Sequence, residues 1–292
     1  MTNQATLIAG VLAIAFLGSF SFAQPQPTPL AAAQLKDGVY WVKGGSGANT
    51  GFIIGRKEVV VIDAKMNAES AQAMLAEIRK LTPNPVKYVV LTHSDGDHVE
   101  GLSGFPKGVT VVAQANARKE MEAAFKDPKF SALVPYLPSE TFATDRPLNI
   151  EGTRISLLHF GPAHTSGDVV VFLPDQKIAF VGDLVFIGRD PLIHRQKGGT
   201  SVGLAETLRK ILALDADTFV SGHNDPLTKT EIRALLAAIV EKQAKVKALV
   251  QEGKSLDEVK AAFGIADAPD RRWPSFIEVV YLEFTERPAP PK

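Results

Sequence analysis

The sequence predicts an α/β fold whose working residues gather at the carboxyl ends of strands. Three observations predict it. Short β-branched runs such as Val59-Val60-Val61-Ile62 and Tyr88-Val89-Val90-Leu91 are followed by helical or loop stretches. Strands followed by helices recur in both halves of the chain, which indicates one domain of two similar layers. The densest cluster of ionisable residues, Thr92-His93-Ser94-Asp95-Gly96-Asp97-His98-Val99-Glu100-Gly101, directly follows one of those runs. Open α/β sheets place their ligands there.

Taken in order, Gly38–Val42, Gly51–Ile54 and Val59–Asp63 read as three strands parted by glycine and charged turns. Residues 67–81 follow as an amphipathic helix, with Ala71, Met74, Leu75 and Ile78 at helical spacing and Pro83 beyond its end. A strand at 86–91 leads into the ionisable loop. Val109–Val112 is a further strand and 114–125 a further helix. Residues 127–149, with Pro128, Pro135, Pro138 and Pro147, show no clear period and are expected to be irregular. Strands are expected again at 154–158, 169–172, 178–181 and 218–220, with a helix at 202–213 between the last two. A long helix at 228–252 places Ile232, Leu235, Leu236, Ile239, Val246, Leu249 and Val250 on one stripe. A short helix at 255–263 follows, and the apolar run Val279-Val280-Tyr281-Leu282 closes the pattern.

Composition excludes several classes. Hydrophobic residues make up 45% and charged residues 22% of the 292, the balance of an ordinary globular protein. Lys+Arg and Asp+Glu are both 32, so no global field favours nucleic acid or acidic membranes. There is no cysteine, hence no disulfide, no thiolate ligand and no cysteine nucleophile. Leu7 to Phe22 is apolar and ends at Ser21-Phe22-Ala23, a small-residue cleavage pattern. Met1–Gln4 lacks Lys or Arg, and a membrane anchor is the alternative. Gly10, Gly18, Ser19 and the prolines at 25, 27 and 29 favour cleavage. The expectation is a signal peptide at 1–23, a linker at 24–34 and a domain at 35–292 with a C-terminal helical extension. The mature protein would be periplasmic or secreted, with no stable membrane anchor.

Seven residues carry the chemistry: His93, Asp95, Asp97, His98, His164, Asp183 and His223. Each follows a predicted strand, and four of the six histidines of the chain are among them. In an extended backbone His93 and Asp95 point the same way, while Asp97 and His98 can turn toward a second point. Mixed imidazole and carboxylate groups suit hard or borderline cations, with open positions for water. One carboxylate, Asp183, could bridge two ions about 3.5–4 Å apart. Taken singly, each residue reads as an ordinary loop or turn former; their joint placement at strand ends does not. His159 and His194 lack that placement and read as structural or supporting. Arg189, His194 and Lys197, beyond the Asp183 strand, are weaker candidates for an anionic substrate, with a solvated basic loop as the plainer reading.

These residues resemble the H-x-H-x-D-H signature of the metallo-β-lactamase superfamily, with the downstream His, Asp and His in that family's order. The resemblance runs from Gly38-Val39-Tyr40 through Ser221-Gly222-His223. It implies a four-layer αββα sandwich with a dinuclear metal site at one edge. It implies His93 and His164 at the first metal, Asp97, His98 and His223 at the second, and Asp183 as the bridge. One position departs: the family's second histidine is Asp95 here. The implied activity is hydrolysis by a metal-activated water, with Asp97 orienting it or accepting its proton. Two divalent ions are expected, zinc first and iron as the alternative. Small esters, lactones, thioesters and β-lactams are the expected substrates, and nucleic acid is not expected as a partner. Because flavodiiron proteins of the superfamily also carry a carboxylate at this position, a diiron redox or oxygen-binding protein is the rival reading.

Overall fold

The computed structural model describes residues 29–150, 152–266 and 271–286, so the expected signal peptide lies outside the described residues. In chain order the elements are β1 (Ala31–Lys36), β2 (Val39–Lys43), β3 (Thr50–Ile54), β4 (Val59–Ile62), α1 (Ala68–Leu81) and β5 (Val86–Val90). Next come α2 (Gly96–Val99), β6 (Thr110–Gln114), α3 (Ala115–Ala124), β7 (Glu140–Phe142), β8 (Asp145–Ile150) and β9 (Thr153–Leu158). The last part holds β10 (Val170–Leu173), β11 (Ile178–Gly182), α4 (Ser201–Ala213), β12 (Thr218–Ser221), α5 (Lys229–Gln251), α6 (Leu256–Ala262) and α7 (Phe276–Thr285).

The strands form a seven-stranded sheet in the order β1 to β7 and a five-stranded sheet in the order β12-β11-β10-β9-β8. Period-two alternation along each strand decides what lies on either face. In β4, Val59 and Val61 pack toward α1 with Met74, Leu75 and Ile78, whereas Val60 and Ile62 enter the layer between the sheets. In β11, Ala179 and Val181 meet Leu204, Leu208 and Ile232 of α4 and α5, whereas Ile178 and Phe180 turn inward. The result is the expected αββα sandwich. Burying each such side chain contributes about 1.5–3 kcal/mol before entropy is counted. Gly51 lets the sheets close: a Cβ there would lie 2.2 Å from the Phe180 ring.

Two expectations need correction. Residues 31–34, assigned to a linker, belong to β1, which pairs antiparallel with β2. Residues 127–149 are not irregular throughout: a 3-10 helix spans Pro128–Tyr136, and β7 and β8 follow. Proline there was compatible with structure because Pro128 opens the 3-10 helix, where no N–H is required. The run Val279–Leu282 is the middle of α7. Its N-cap Ser275 and Glu278 form a reciprocal capping box that sets the helix, whatever the β-branched residues prefer alone.

The parallel pairings β4–β5 and β11–β12 carry the site. Parallel neighbours end on the same side, so the segments after β4, β5, β11 and β12 meet at one edge.

A candidate dinuclear metal centre

The short helix α2 begins after Asp95 and brings Asp97 and His98 into its single turn. Asp95 stands at the N-cap but makes no capping bond, because its carboxylate is engaged elsewhere. His93 is 1% exposed, and His98 and His164 are fully buried. Gly222, after β12, is obligatory in size: a Cβ there would lie 2.2 Å from Asp183 Oδ1 and 2.8 Å from His98 Cε1.

All seven predicted residues come together, in overlapping groups able to hold a cation. His93, His164 and Asp183 form one; Asp97, His98 and His223 form another; Asp95, His164 and His194 form a third. His223 Nε2 lies 3.1 Å from Asp183 Oδ2 and 3.3 Å from Asp97 Oδ2. His98 Nε2 lies 3.2 Å from Asp183 Oδ1 but without the alignment of a hydrogen bond. Asp183 thus belongs to the first group and also touches the second.

Hydrogen bonding fixes which imidazole nitrogens face inward. Asp63 Oδ1 accepts from the Thr92 backbone N–H at 2.7 Å, and its Oδ2 accepts from the Thr92 hydroxyl at 2.8 Å. The same Oδ2 lies 2.8 Å from His98 Nδ1, and a carboxylate can only accept, so Nδ1 carries the proton. Having given its own proton to Asp63, the Thr92 hydroxyl accepts from His93 Nδ1 at 3.1 Å. His164 Nδ1 donates to the Leu192 carbonyl at 2.7 Å. Each Nε2 is therefore left facing the cluster, the arrangement that carboxylate and carbonyl partners impose on metal-binding histidines. Asp63 and Thr92 were not among the predicted site residues. Asp63 ends the Val59–Asp63 run, which was the available signal.

The donor set fits a cation. Among the described residues six buried side-chain polar atoms lack a hydrogen-bond partner, and three are His93 Nε2, His98 Nε2 and Asp183 Oδ1. Buried polar atoms are ordinarily paired, and a divalent ion would satisfy these three at once. The titration behaviour demands positive charge in the same place. Burial alone would lower the His164 pKa, but the Asp95 hydrogen bond and the Asp183 and Asp168 charges push it up to about 9. Against the same burial, Asp183 and Asp97 push His223 to about 9. Burial would raise the Asp183 carboxyl, yet the His98 charge and the His223 hydrogen bond hold it well below the usual range. Asp95 is likewise held low against burial by hydrogen bonds from His164 and His194, with His93 contributing from 3.6 Å.

Above the cluster lies a cleft of about 670 Å³. Its walls include Met66, Phe125, Phe130 and Trp273, and its rim carries Lys129, Arg189 and Arg272. Each of the three cations lies over an aromatic ring: Lys129 over Phe130, Arg189 over Phe186 and Arg272 over Trp273. The weaker candidates Arg189, His194 and Lys197 all line this cleft. His194 and Lys197 are turned to Asp95 at 2.8 and 2.6 Å. His159 stays structural, bonded through Nδ1 to the Asp168 carbonyl.

This fold and this cluster define a class, and comparison with known proteins agrees. The family model of the metallo-beta-lactamase superfamily matches residues 44–223, and the chain belongs to that superfamily. Similar curated proteins include a linear primary-alkylsulfatase of Pseudomonas sp. (strain ATCC 19151), 21% identical over 215 residues. That match covers 59% of this chain and 40% of the alkylsulfatase, so the chain spans well under half of that relative. Metallo-beta-lactamase IND-1 of Chryseobacterium indologenes is 29% identical over 175 residues, 54% of this chain and 70% of the lactamase. Among solved structures, the sec-alkylsulfatase Pisa1 from Pseudomonas sp. aligns with a TM-score of 0.72 at 17% identity, covering 88% of this chain and 50% of that one. A metallo-beta-lactamase from Pontibacter korlensis aligns at 0.61 with 21% identity, over 72% of this chain and 98% of that one.

Proposed function

We propose that the protein is an exported metal-dependent hydrolase acting on a small ester-like or lactam-like molecule that carries an anionic group. The observation that carries the reading is the convergence of three unpaired buried atoms, His93 Nε2, His98 Nε2 and Asp183 Oδ1, beneath an accessible cleft. Hydrolytic relatives support it: the alkylsulfatase, the β-lactamase and, at 28% identity, a hydroxyacylglutathione hydrolase of Brucella anthropi. Export rests on the apolar Leu7–Phe22 segment and the Ser21-Phe22-Ala23 pattern.

His93 and His164, with Asp95 beside them, would hold the first ion; Asp97, His98 and His223 the second; Asp183 would touch both. Divalent ions, zinc in this reading, supply a water acidified to a pKa of about 7 and a Lewis acid for the scissile carbonyl, sulfuryl or phosphoryl oxygen. The chain's own residues do the rest. Asp97 is ionised, because the His223 hydrogen bond and the His98 charge outweigh burial. Its carboxylate can thus accept a hydrogen bond from a water molecule and orient it, and in this reading the same oxygen is where that water's proton would go. Arg189, Lys129 and Arg272 on the rim attract the anionic group. Phe125, Phe130 and Trp273 take an apolar portion and exclude bulk water from the reacting bond.

A hydrolysis screen tests this, run with zinc-reconstituted protein over carboxylate-bearing β-lactams, lactones, thioesters, phosphodiesters and alkyl sulfates. The expected result is chelator-sensitive turnover of an anionic member of the panel. Metal-loaded protein that turns over none of these classes would contradict the proposal.

A further inference from the structure

Asp95 stands where the family signature has a neutral imidazole, which would load the first metal position with an extra negative charge. The structure shows what meets that charge. Lys197 Nζ lies 2.6 Å from Asp95 Oδ1 and also donates to Ser94 Oγ at 2.9 Å, so the ammonium is fixed on two sides. The other carboxylate oxygen, Oδ2, faces three imidazoles: His194 Nε2 at 2.8 Å, His164 Nε2 at 3.1 Å and His93 Nε2 at 3.6 Å.

The partner of the second ring nitrogen separates the roles of these three. His93 and His164 direct Nδ1–H to Thr92 and Leu192, which leaves Nε2 for an ion. Their 3.6 and 3.1 Å distances from Asp95 Oδ2 lie either side of the donor spacing of about 3.3 Å in a tetrahedral zinc site. The 2.8 Å contact to His194 is a hydrogen-bond length. Gln196 Nε2 donates to His194 Nδ1 at 3.1 Å, which leaves the His194 proton on Nε2, directed at Asp95. His194 is 3% exposed and its backbone is tied to the opposite loop, its N–H bonding the His164 carbonyl at 2.8 Å. Lys197 is held in the same segment by its N–H to the His194 carbonyl at 2.9 Å.

We propose that Lys197 is a charge-compensating residue for the first metal position. The His194 hydrogen bond holds Asp95 in place and Lys197 cancels its charge, so that the Asp95–Lys197 pair presents to the ion the net charge of a neutral ligand. The inference rests on the metal-binding reading above and deepens it, because it explains how a carboxylate is accommodated at that place. The loop after Asp183 is then a part of the metal centre and not a solvated basic surface. A surface ion pair would contribute little. This one has both partners largely withdrawn from solvent, with side chains 26% and 13% exposed, and it borders a cation site.

The claim has a sign that a merely structural role lacks. A cation near a metal site repels the ion, and at an effective dielectric of about 20 that repulsion is worth tenfold or more in affinity. Zinc affinity of the weaker position would be measured by competition with a chromophoric chelator. Lys197→Gln should bind that ion at least about tenfold more tightly than wild type, and Asp95→Asn more weakly. Asp95→Asn with Lys197→Gln should return toward wild type. Lys197→Arg, which keeps the charge, should stay within about threefold. Weaker or unchanged binding in Lys197→Gln, in a protein whose circular dichroism and melting match wild type, would overturn the proposal. Additive losses in the double variant would do the same. If wild type itself takes up no zinc, the metal-binding reading falls and this inference with it. If wild type binds zinc and only the sign is wrong, this inference alone fails.

Discussion

Asp63 Oδ2 lies 2.8 Å from His98 Nδ1, and through the Thr92 hydroxyl the same carboxylate also governs His93. One buried carboxylate therefore sets the tautomers of two inward-facing imidazoles that belong to different halves of the cluster. Asp63 adopts φ of 60°, a left-handed conformation costly for a non-glycine residue. The three hydrogen bonds it accepts offset that cost. Asp63→Asn should weaken zinc binding about 10–100-fold, because an amide cannot accept from all three donors. Thr92→Val should do so mainly through His93. Chelator competition on both variants reads this out, and wild-type affinity in both would show the relay to be idle.

Asp183→Asn removes a negative charge shared by the two halves of the cluster. Zinc content per chain and turnover should both fall. Metal analysis after dialysis, with a rate on the best substrate of the screen, gives the answer. Unchanged content and rate would mean that Asp183 does not bridge.

Protons and metal compete for the same nitrogens. His164 and His223 are pushed up to about 9 in the metal-free protein, so below that pH they carry protons that an incoming ion must displace. Zinc binding at pH 7 should release protons, and affinity should rise with pH until about 9. Titration calorimetry in buffers of different ionisation enthalpy counts the protons. The stability of the metal-free protein should run the opposite way. Both imidazoles have folded pKa values above the unfolded value near 6.5, so their contribution is complete below about 6.5 and is lost as pH rises through about 9. Thermal melts of the chelated protein across that window check the sign.

Lys65 gives a pH effect of opposite sign away from the imidazoles. It is fully buried, donates to the Gly44 and Ala48 carbonyls at 2.7 and 2.8 Å, and burial lowers its pKa to about 8 in spite of Asp63. Between about 8 and the unfolded value near 10.5 the unfolded chain holds the proton and the folded chain has lost it, so this group makes stability rise with pH. Wild type should therefore gain on Lys65→Met as pH is raised from 8 to 10, measured as the difference in urea midpoints. A constant difference would show that Lys65 does not titrate in that range.

Gly222→Ala is predicted to disturb the centre without replacing any of the donor residues. Its Cβ would press on Asp183 Oδ1 and His98 Cε1 from either side, and neither can retreat within a packed core. Zinc affinity should fall at least about tenfold, with a stability loss of about 1–3 kcal/mol. Wild-type values for both would show that the segment after β12 has room to yield.

Much of this was legible in the sequence, for a physical reason. His93, Asp95, Asp97, His98, His164, Asp183 and His223 lie in segments that follow strands, and parallel pairing carries strand ends to one edge. Val59–Ile62 was legible as a strand, but a continuous apolar run does not tell its two faces apart; the packing puts Val59 and Val61 on one and Val60 and Ile62 on the other. What escaped depends on tertiary neighbours. The Asp63–Thr92–His93 relay exists only because β4 and β5 pair; the place of Asp63 at a strand end hints at a role but not at these partners. His194 and Lys197 sit in a segment without a period, and their meaning comes from Asp95, about a hundred positions earlier. In α7 a signal was present, since Ser275 and Glu278 form a capping box, but the apolar run Val279–Leu282 was given no element of its own.

The most direct test of the central claim is anomalous diffraction at the zinc absorption edge from crystals grown with zinc. Two anomalous peaks are expected, one bordered by His93, His164, Asp95 and Asp183, the other by Asp97, His98, His223 and Asp183. A crystal with no peak at this cluster, or with zinc only at surface carboxylates, would contradict it.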